Sequence, residues 1–167
     1  MGKRRRAREM AMQMLYQHEV GGAPLSQIFS SFDLESYRAE TEAVTESGEP
    51  RAVAGRERLT RVEKSFEYAQ RLVTGTVENC DSIDGLIREY AENWRLERMP
   101  TIDRNILRLA IYEMQHEASV PKVVILDEAI ELAKKFGSES SGRFVNGLLD
   151  GVLQSRRLAV PATDGSA

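Results

Sequence analysis

Residues 98–114 read RMPTIDRNILRLAIYEM, and the fold turns on them. Ile102, Ile106, Leu107, Leu109, Ala110, Ile111 and Met114 recur at helical spacing and cover more than one face. A helix at the surface needs one apolar stripe, whereas a helix apolar on several sides has neighbours on several sides. The segment is expected to be the central helix of an all-α bundle. Thr101 is its expected cap, and Asp103 in the first turn suits the positive end of the helix dipole.

The same periodicity spreads outward from this stretch. Upstream, Asp81 is the expected cap of a helix carrying Ile83, Leu86, Ile87, Tyr90 and Trp94 inward, and a longer helix over about 59–79 precedes it. Downstream, Pro121 introduces KVVILDEAIELAKKF, which Gly137 stops, and Ser138 begins a last helix through Val145, Leu148, Leu149 and Val152. At the front, Ala7, Ala11, Met14, Leu15 and His18 share one helical face that ends at Gly21-Gly22. Pro24 then opens a short helix with Leu25, Ile28, Phe29 and Phe32 inward. Seven helices and no confident strand make an all-α bundle. The stretch from about 39 to 57, AETEAVTESGEPRAVAGRE, is acidic and small-residue-rich and is expected to be a mobile insertion between the second and third helices, with extension of a neighbouring helix through part of it as the competing reading. Residues 1–157 are expected to form one domain, with residues 158–167 as a disordered tail.

Charge is unevenly distributed. The net charge is -3, yet Lys3, Arg4, Arg5, Arg6 and Arg8 crowd the first helix while residues 33–57 are acidic. Cations at a helix N-terminus oppose its dipole, so a cluster there calls for a reason other than stability. Phosphate is one: each Lys or Arg contact releases counterions, and Arg adds bidentate contacts and stacking on unpaired bases. A frayed, solubilising terminus is the alternative. By a helical wheel, Arg5 and Arg6 point outward, Arg8 sits on the flank, Arg4 lies over the buried side and Tyr16 is nearly opposite the core.

Other chemistry finds little footing. Two histidines and one cysteine, widely separated, do not match zinc-ligand spacings, and no glycine-rich phosphate loop or nucleophile elbow is present. Asp81 with Asp84, and Glu128 with Glu131, read better as caps and solvated helix faces than as metal ligands. His18 reads better as a core histidine than as a catalyst. No cofactor or metal is expected, and an enzyme is unsupported. Cys80 has no internal disulfide partner and fits a reducing, cytoplasmic compartment. No apolar run is long enough for a membrane span, and no apolar stretch follows the basic N-terminus as in a secretory signal.

Five stretches taken together resemble the NusB transcription antitermination family: RRRAREMAMQMLYQ, DGLIREYAENW, IDRNILRLAIYEM, VPKVVILDEAIELAKKFG and SGRFVNGLLD. The resemblance covers about residues 3–94 and 100–152, and the acidic insertion departs from the family pattern. It implies two stacked three-helix subdomains. It also implies a heterodimer with a small-subunit ribosomal protein (NusE) that binds the boxA element of nascent ribosomal RNA and helps RNA polymerase read through terminators. By the same resemblance Tyr16 and Asp103 are expected to contact the ribosomal protein. Lys3, Arg4, Arg5, Arg6, Arg8, Tyr90, Ser140, Arg143 and Phe144 are expected at the RNA. Phe144 could equally be core, and the serines at 140 and 141 could simply cap their helix. A homodimer of the free protein stays open. A helical protein–protein scaffold without RNA specificity is the competing function. A related helical domain fronts certain ribosomal RNA methyltransferases, but this chain is too short to hold their cofactor domain as well.

Overall fold

The computed structural model describes residues 2–43, 51–92, 94–155 and 158, of which residues 40–43 and 51–60 are described by their backbone alone. Among these residues there are eight α-helices, one 3₁₀ turn and no strand. They are α1 (Lys3–Gly21), α2 (Leu25–Ser31), α3 (Leu34–Ala43), α4 (Arg51–Glu78), α5 (Cys80–Tyr90), the 3₁₀ turn Leu96–Arg98, α6 (Thr101–His116), α7 (Lys122–Phe136) and α8 (Ser141–Gln154). The chain divides into two compact units, Met1–Val73 and Thr74–Ala167.

In the first unit, α1 packs on α2 and is closed off by a tight turn. Gly22 takes a left-handed φ of 68°, and its N–H bonds to the His18 carbonyl. The His18 ring supports the same turn, with Nδ1 2.9 Å from the Ala23 carbonyl oxygen. This half-buried tie replaces the core role expected of His18. Phe32 stacks on Tyr37 and Phe66 at 6.0 and 5.6 Å, joining the end of α2 to α3 and α4.

In the second unit, α6 touches α5, α7 and α8, which makes it central, as its all-round apolar surface requires. Ile106, Leu107, Leu109 and Ile111 are buried. α5 is clamped to α6 by a two-pronged ion pair: Arg108 donates from Nε to Asp84 Oδ1 at 2.7 Å and from Nη2 to Oδ2 at 2.9 Å. The end of α4 approaches α6 through Gly75. A Cβ there would lie 2.0 Å from Tyr112 Cζ, so the tyrosine ring occupies the space a side chain would need.

The structure corrects further readings of the sequence, among them two expected caps: Thr101 and Asp81 lie inside α6 and α5, whose N-caps are Pro100 and Asn79. Residues 39–43 end α3 and residues 51–57 begin α4, so most of the stretch assigned to a mobile insertion is helical. Its acidic residues suit solvated helix faces as well as a loop, and composition does not separate the two; residues 44–50 lie outside the described residues. α3 brings the helix count to eight. Trp94, expected inward on a continuing helix, lies beyond the end of α5 and is exposed. The last helix starts at Ser141 rather than Ser138. At the C-terminus, Leu158 is buried, and the remainder of the expected tail lies outside the described residues.

Candidate nucleic-acid interface

The α1 tip gathers positive charge from two sources. Its N-cap is Gly2, which offers no side-chain acceptor, and the first turn holds no acidic residue. The partial positive charge of the helix end therefore stands beside the side chains of Lys3, Arg4 and Arg5, all exposed. Such an end attracts anions through its backbone N–H groups as well as its side chains.

Arg6 and Arg8 correct the helical-wheel reading. Arg6 is buried rather than outward, and Arg8 is only 4% exposed. A wheel assumes one wet face, but α1 is buried at every position from Arg6 to Met12. Arg4, placed over the buried side by the wheel, is exposed instead and lies over the Tyr68 ring at 5.8 Å. Tyr16, further along α1, is 40% exposed, as the wheel expected.

The second unit holds a cleft of about 290 Å³ lined by Trp94, Pro100, Asp103, Ser138, Ser140, Arg143 and Phe144. The loop after α5 supplies Trp94, the start of α6 supplies Asp103, and the α7–α8 turn with the first turn of α8 supplies the remainder apart from Pro100. Trp94 meets Phe144 edge-on at 6.2 Å, so Phe144 forms a wall of the cleft. Asp103 is 4% exposed, and its Oδ1 has no hydrogen-bond partner among the described residues. A buried carboxylate oxygen left unpaired is costly and marks a place for a donor from outside. Ser141 is buried and its hydroxyl accepts from the Ser138 N–H at 2.9 Å, which fixes the turn; Ser140 stays exposed.

Expected site residues thus fall into separate groups. Asp103, Ser140, Arg143 and Phe144 come together in the cleft. Tyr90 does not line it; its ring packs at Gly151 of α8, where a Cβ would sit 3.4 Å away. Lys3, Arg4 and Arg5 form the α1 tip. Sequence reasoning missed Trp94, Pro100 and Ser138. Trp94 continues the 83-86-87-90 periodicity, so spacing alone hides it; the proline at 100 was the available sign that the chain leaves helix in between. Among the described residues no group of three His, Cys, Asp or Glu side chains could hold a metal ion, and no helix is long and apolar enough to cross a membrane.

The family model described as NusB matches residues 5–154. The chain belongs to the NusB family. A transcription antitermination protein NusB from Sorangium cellulosum is 40% identical over 155 residues, covering 93% of this chain and 94% of that relative. A solved NusB structure from T. maritima is 36% identical with a TM-score of 0.67, covering 95% of this chain and 93% of that one. A crystal structure of antitermination factors NusB and NusE in complex with dsRNA shares the fold at 23% identity and a TM-score of 0.65, covering 92% of this chain and 97% of the other. For a NusB family member, a basic helix tip and an aromatic cleft with an unsatisfied carboxylate are two distinct kinds of surface, one suited to phosphate and one to a mixed polar and aromatic contact.

Proposed function

We propose that this protein is a transcription antitermination factor that binds the boxA element of nascent ribosomal RNA as a heterodimer with a small-subunit ribosomal protein, NusE, and promotes read-through by RNA polymerase. It acts in the cytoplasm, within the elongation complex and without a reaction of its own, and residues 1–157 serve as one RNA-binding module. The observation that carries this reading is the α1 tip: three exposed cations on a helix end with neither a capping side chain nor an acidic residue.

Lys3, Arg4 and Arg5 take phosphates, while Arg6 and Arg8 add to the local potential from within. In the cleft, Phe144 and Arg143 offer a ring and a guanidinium to an unstacked base and its phosphate, and Ser140 a hydroxyl. Tyr90 supports this face by holding α5 to α8 at Gly151. Asp103 and Tyr16 receive the ribosomal protein. A cationic side chain from that partner at Asp103 satisfies the unpaired Oδ1 and removes a negative charge from a cleft that also holds Arg143. The partner therefore makes the cleft more receptive to RNA, and the two ligands bind cooperatively.

Titration of a boxA-type RNA into the protein, with and without the ribosomal protein, tests this. Binding that tightens with partner and weakens steeply with salt is expected; no RNA binding in either state would leave a protein–protein scaffold in its place.

A further inference from the structure

A second basic feature lies beside the α1 tip. Arg61, Lys64, Tyr68 and Arg71 follow one another at intervals of three and four along α4, which puts them on one face. The three cations are exposed and Tyr68 is half-buried, while Val62, Ser65, Ala69 and Leu72 turn inward. Two contacts join this row to α1. The Ser65 hydroxyl donates to the Lys3 carbonyl at 2.9 Å, and the Arg4 guanidinium lies 5.8 Å from the Tyr68 ring centroid. Arg71 approaches the same ring at 4.9 Å.

Stability accounts for only part of this arrangement. Like charges three or four apart on a helix destabilise it slightly, and two guanidiniums on one ring repel each other. Acidic side chains are near: Glu67, exposed on α4, stands three positions after Lys64 and four before Arg71, at ion-pair spacing, and Glu63 faces Arg38 of α3 at 3.8 Å. An anionic polymer would turn the cost into affinity. A phosphate accepts two N–H groups of one guanidinium together, and an aromatic ring beneath the guanidinium holds its plane in place.

We propose that this α4 row is a second, sequence-independent RNA surface, on which Arg61, Lys64 and Arg71 take the phosphates of single-stranded RNA running on from the α1 tip. Tyr68 is the positioning residue that holds Arg4 and Arg71. The proposal rests on the RNA reading given above and adds to it the flanking strand. From Arg61 to Arg71 the helix rises about 15 Å, enough to extend the footprint by a few phosphates without reading bases.

The test uses the full chain with its ribosomal partner and two RNAs: the boxA-type element alone, and the element extended by about eight arbitrary nucleotides on each side. Extension is expected to tighten binding about tenfold at low salt and to steepen the salt dependence. The triple variant Arg61→Gln, Lys64→Gln, Arg71→Gln should lose that gain and lower the slope of log affinity on log salt by about 2 units, keeping its melting temperature and its affinity for the short element. Tyr68→Phe should retain the gain and Tyr68→Leu should lose part of it. If the triple variant binds the extended RNA as wild type does, the row is a solvated helix face and this inference falls while the RNA reading stands. If it loses the ribosomal protein instead of the gain from extension, the row is a protein contact and the inference is overturned. If the wild type binds neither RNA at any salt, the functional reading itself fails.

Discussion

α1 and α6 are both enclosed helices, and the charge they hide differs in sign: α1 buries two arginines, α6 only carboxylates. α6 buries Ile106, Leu107, Leu109, Ala110 and Ile111, side chains that leave water favourably, and with them Asp103, Asn105 and Glu113. α1 is buried from Arg6 to Met12, and three of those seven positions are Arg6, Arg8 and Glu9. Hydropathy marks α6 as central because its apolar set is long enough to span several faces in spite of the buried Asp103, Asn105 and Glu113. α1, whose shorter apolar set is interrupted by Arg6, Arg8 and Glu9, looks amphipathic, with its buried cations counted as surface. The difference separates two kinds of basic residue at one helix end: those that hold the fold and those that face solvent.

The largest effect that would sharpen this contrast is expected on the α6 side. Gly75→Ala places a methyl group inside the Tyr112 ring and should cost about 3 kcal/mol or more, read as a denaturant midpoint shift at unchanged m-value. A near-neutral result would mean that the ring swings aside freely and that α6 is less tightly enclosed than described.

Breaking the Asp84–Arg108 clamp comes next. Asp84→Ala strands a mostly buried guanidinium and should cost about 3 kcal/mol, whereas replacing both partners by apolar residues of similar volume should recover much of the loss. An equal loss in single and double variants would show that packing, not charge, joins α5 to α6.

For α1 the expected effects divide by position. Arg8→Ala should destabilise by about 2 kcal/mol through lost packing and an unsatisfied neighbourhood, and lower the salt slope of RNA binding by less than the loss of an exposed arginine does. Arg5→Ala should change stability by less than about 0.5 kcal/mol, in the stabilising direction, because it relieves a cation at the positive helix end. Melting temperatures of the two variants side by side decide whether the buried and exposed arginines differ in role.

The smallest effect concerns Cys80. Burial raises its thiol pKa above the ordinary value; Arg108 opposes this and Asp84 adds to it. Because the folded state favours the neutral thiol, this contribution to stability is complete below the unfolded pKa and is lost as pH rises through the folded one. Alkylation at mildly alkaline pH should be slower than for an unstructured cysteine peptide, and the alkaline loss of stability should be slightly smaller in Cys80→Ala.

These particulars also show how far the sequence could be read. The helices around α6 were legible because their apolar spacing and proline and glycine boundaries carry the same message. The stretch at 39–57 was not, because acidic, small-residue composition suits a loop and a solvated helix equally. In the cleft, Asp103, Ser140, Arg143 and Phe144 could be named from the family resemblance, but their meeting with Trp94 depends on the chain leaving helix after Tyr90, which periodicity conceals. The burial of Arg6 and Arg8 is a property of the packed helix, which no local pattern records.

The claim at the centre is that the exposed cations of the α1 tip hold RNA. It is tested most directly by the salt dependence of boxA-type RNA affinity for the Arg4→Ala, Arg5→Ala double variant, measured with the ribosomal partner present. Two lost phosphate contacts should lower the slope of log affinity on log salt by about 1.4 units. Partner affinity should be unaltered, since Tyr16 lies about 16 Å further along the helix from Arg5. RNA affinity equal to wild type at every salt concentration would contradict the account.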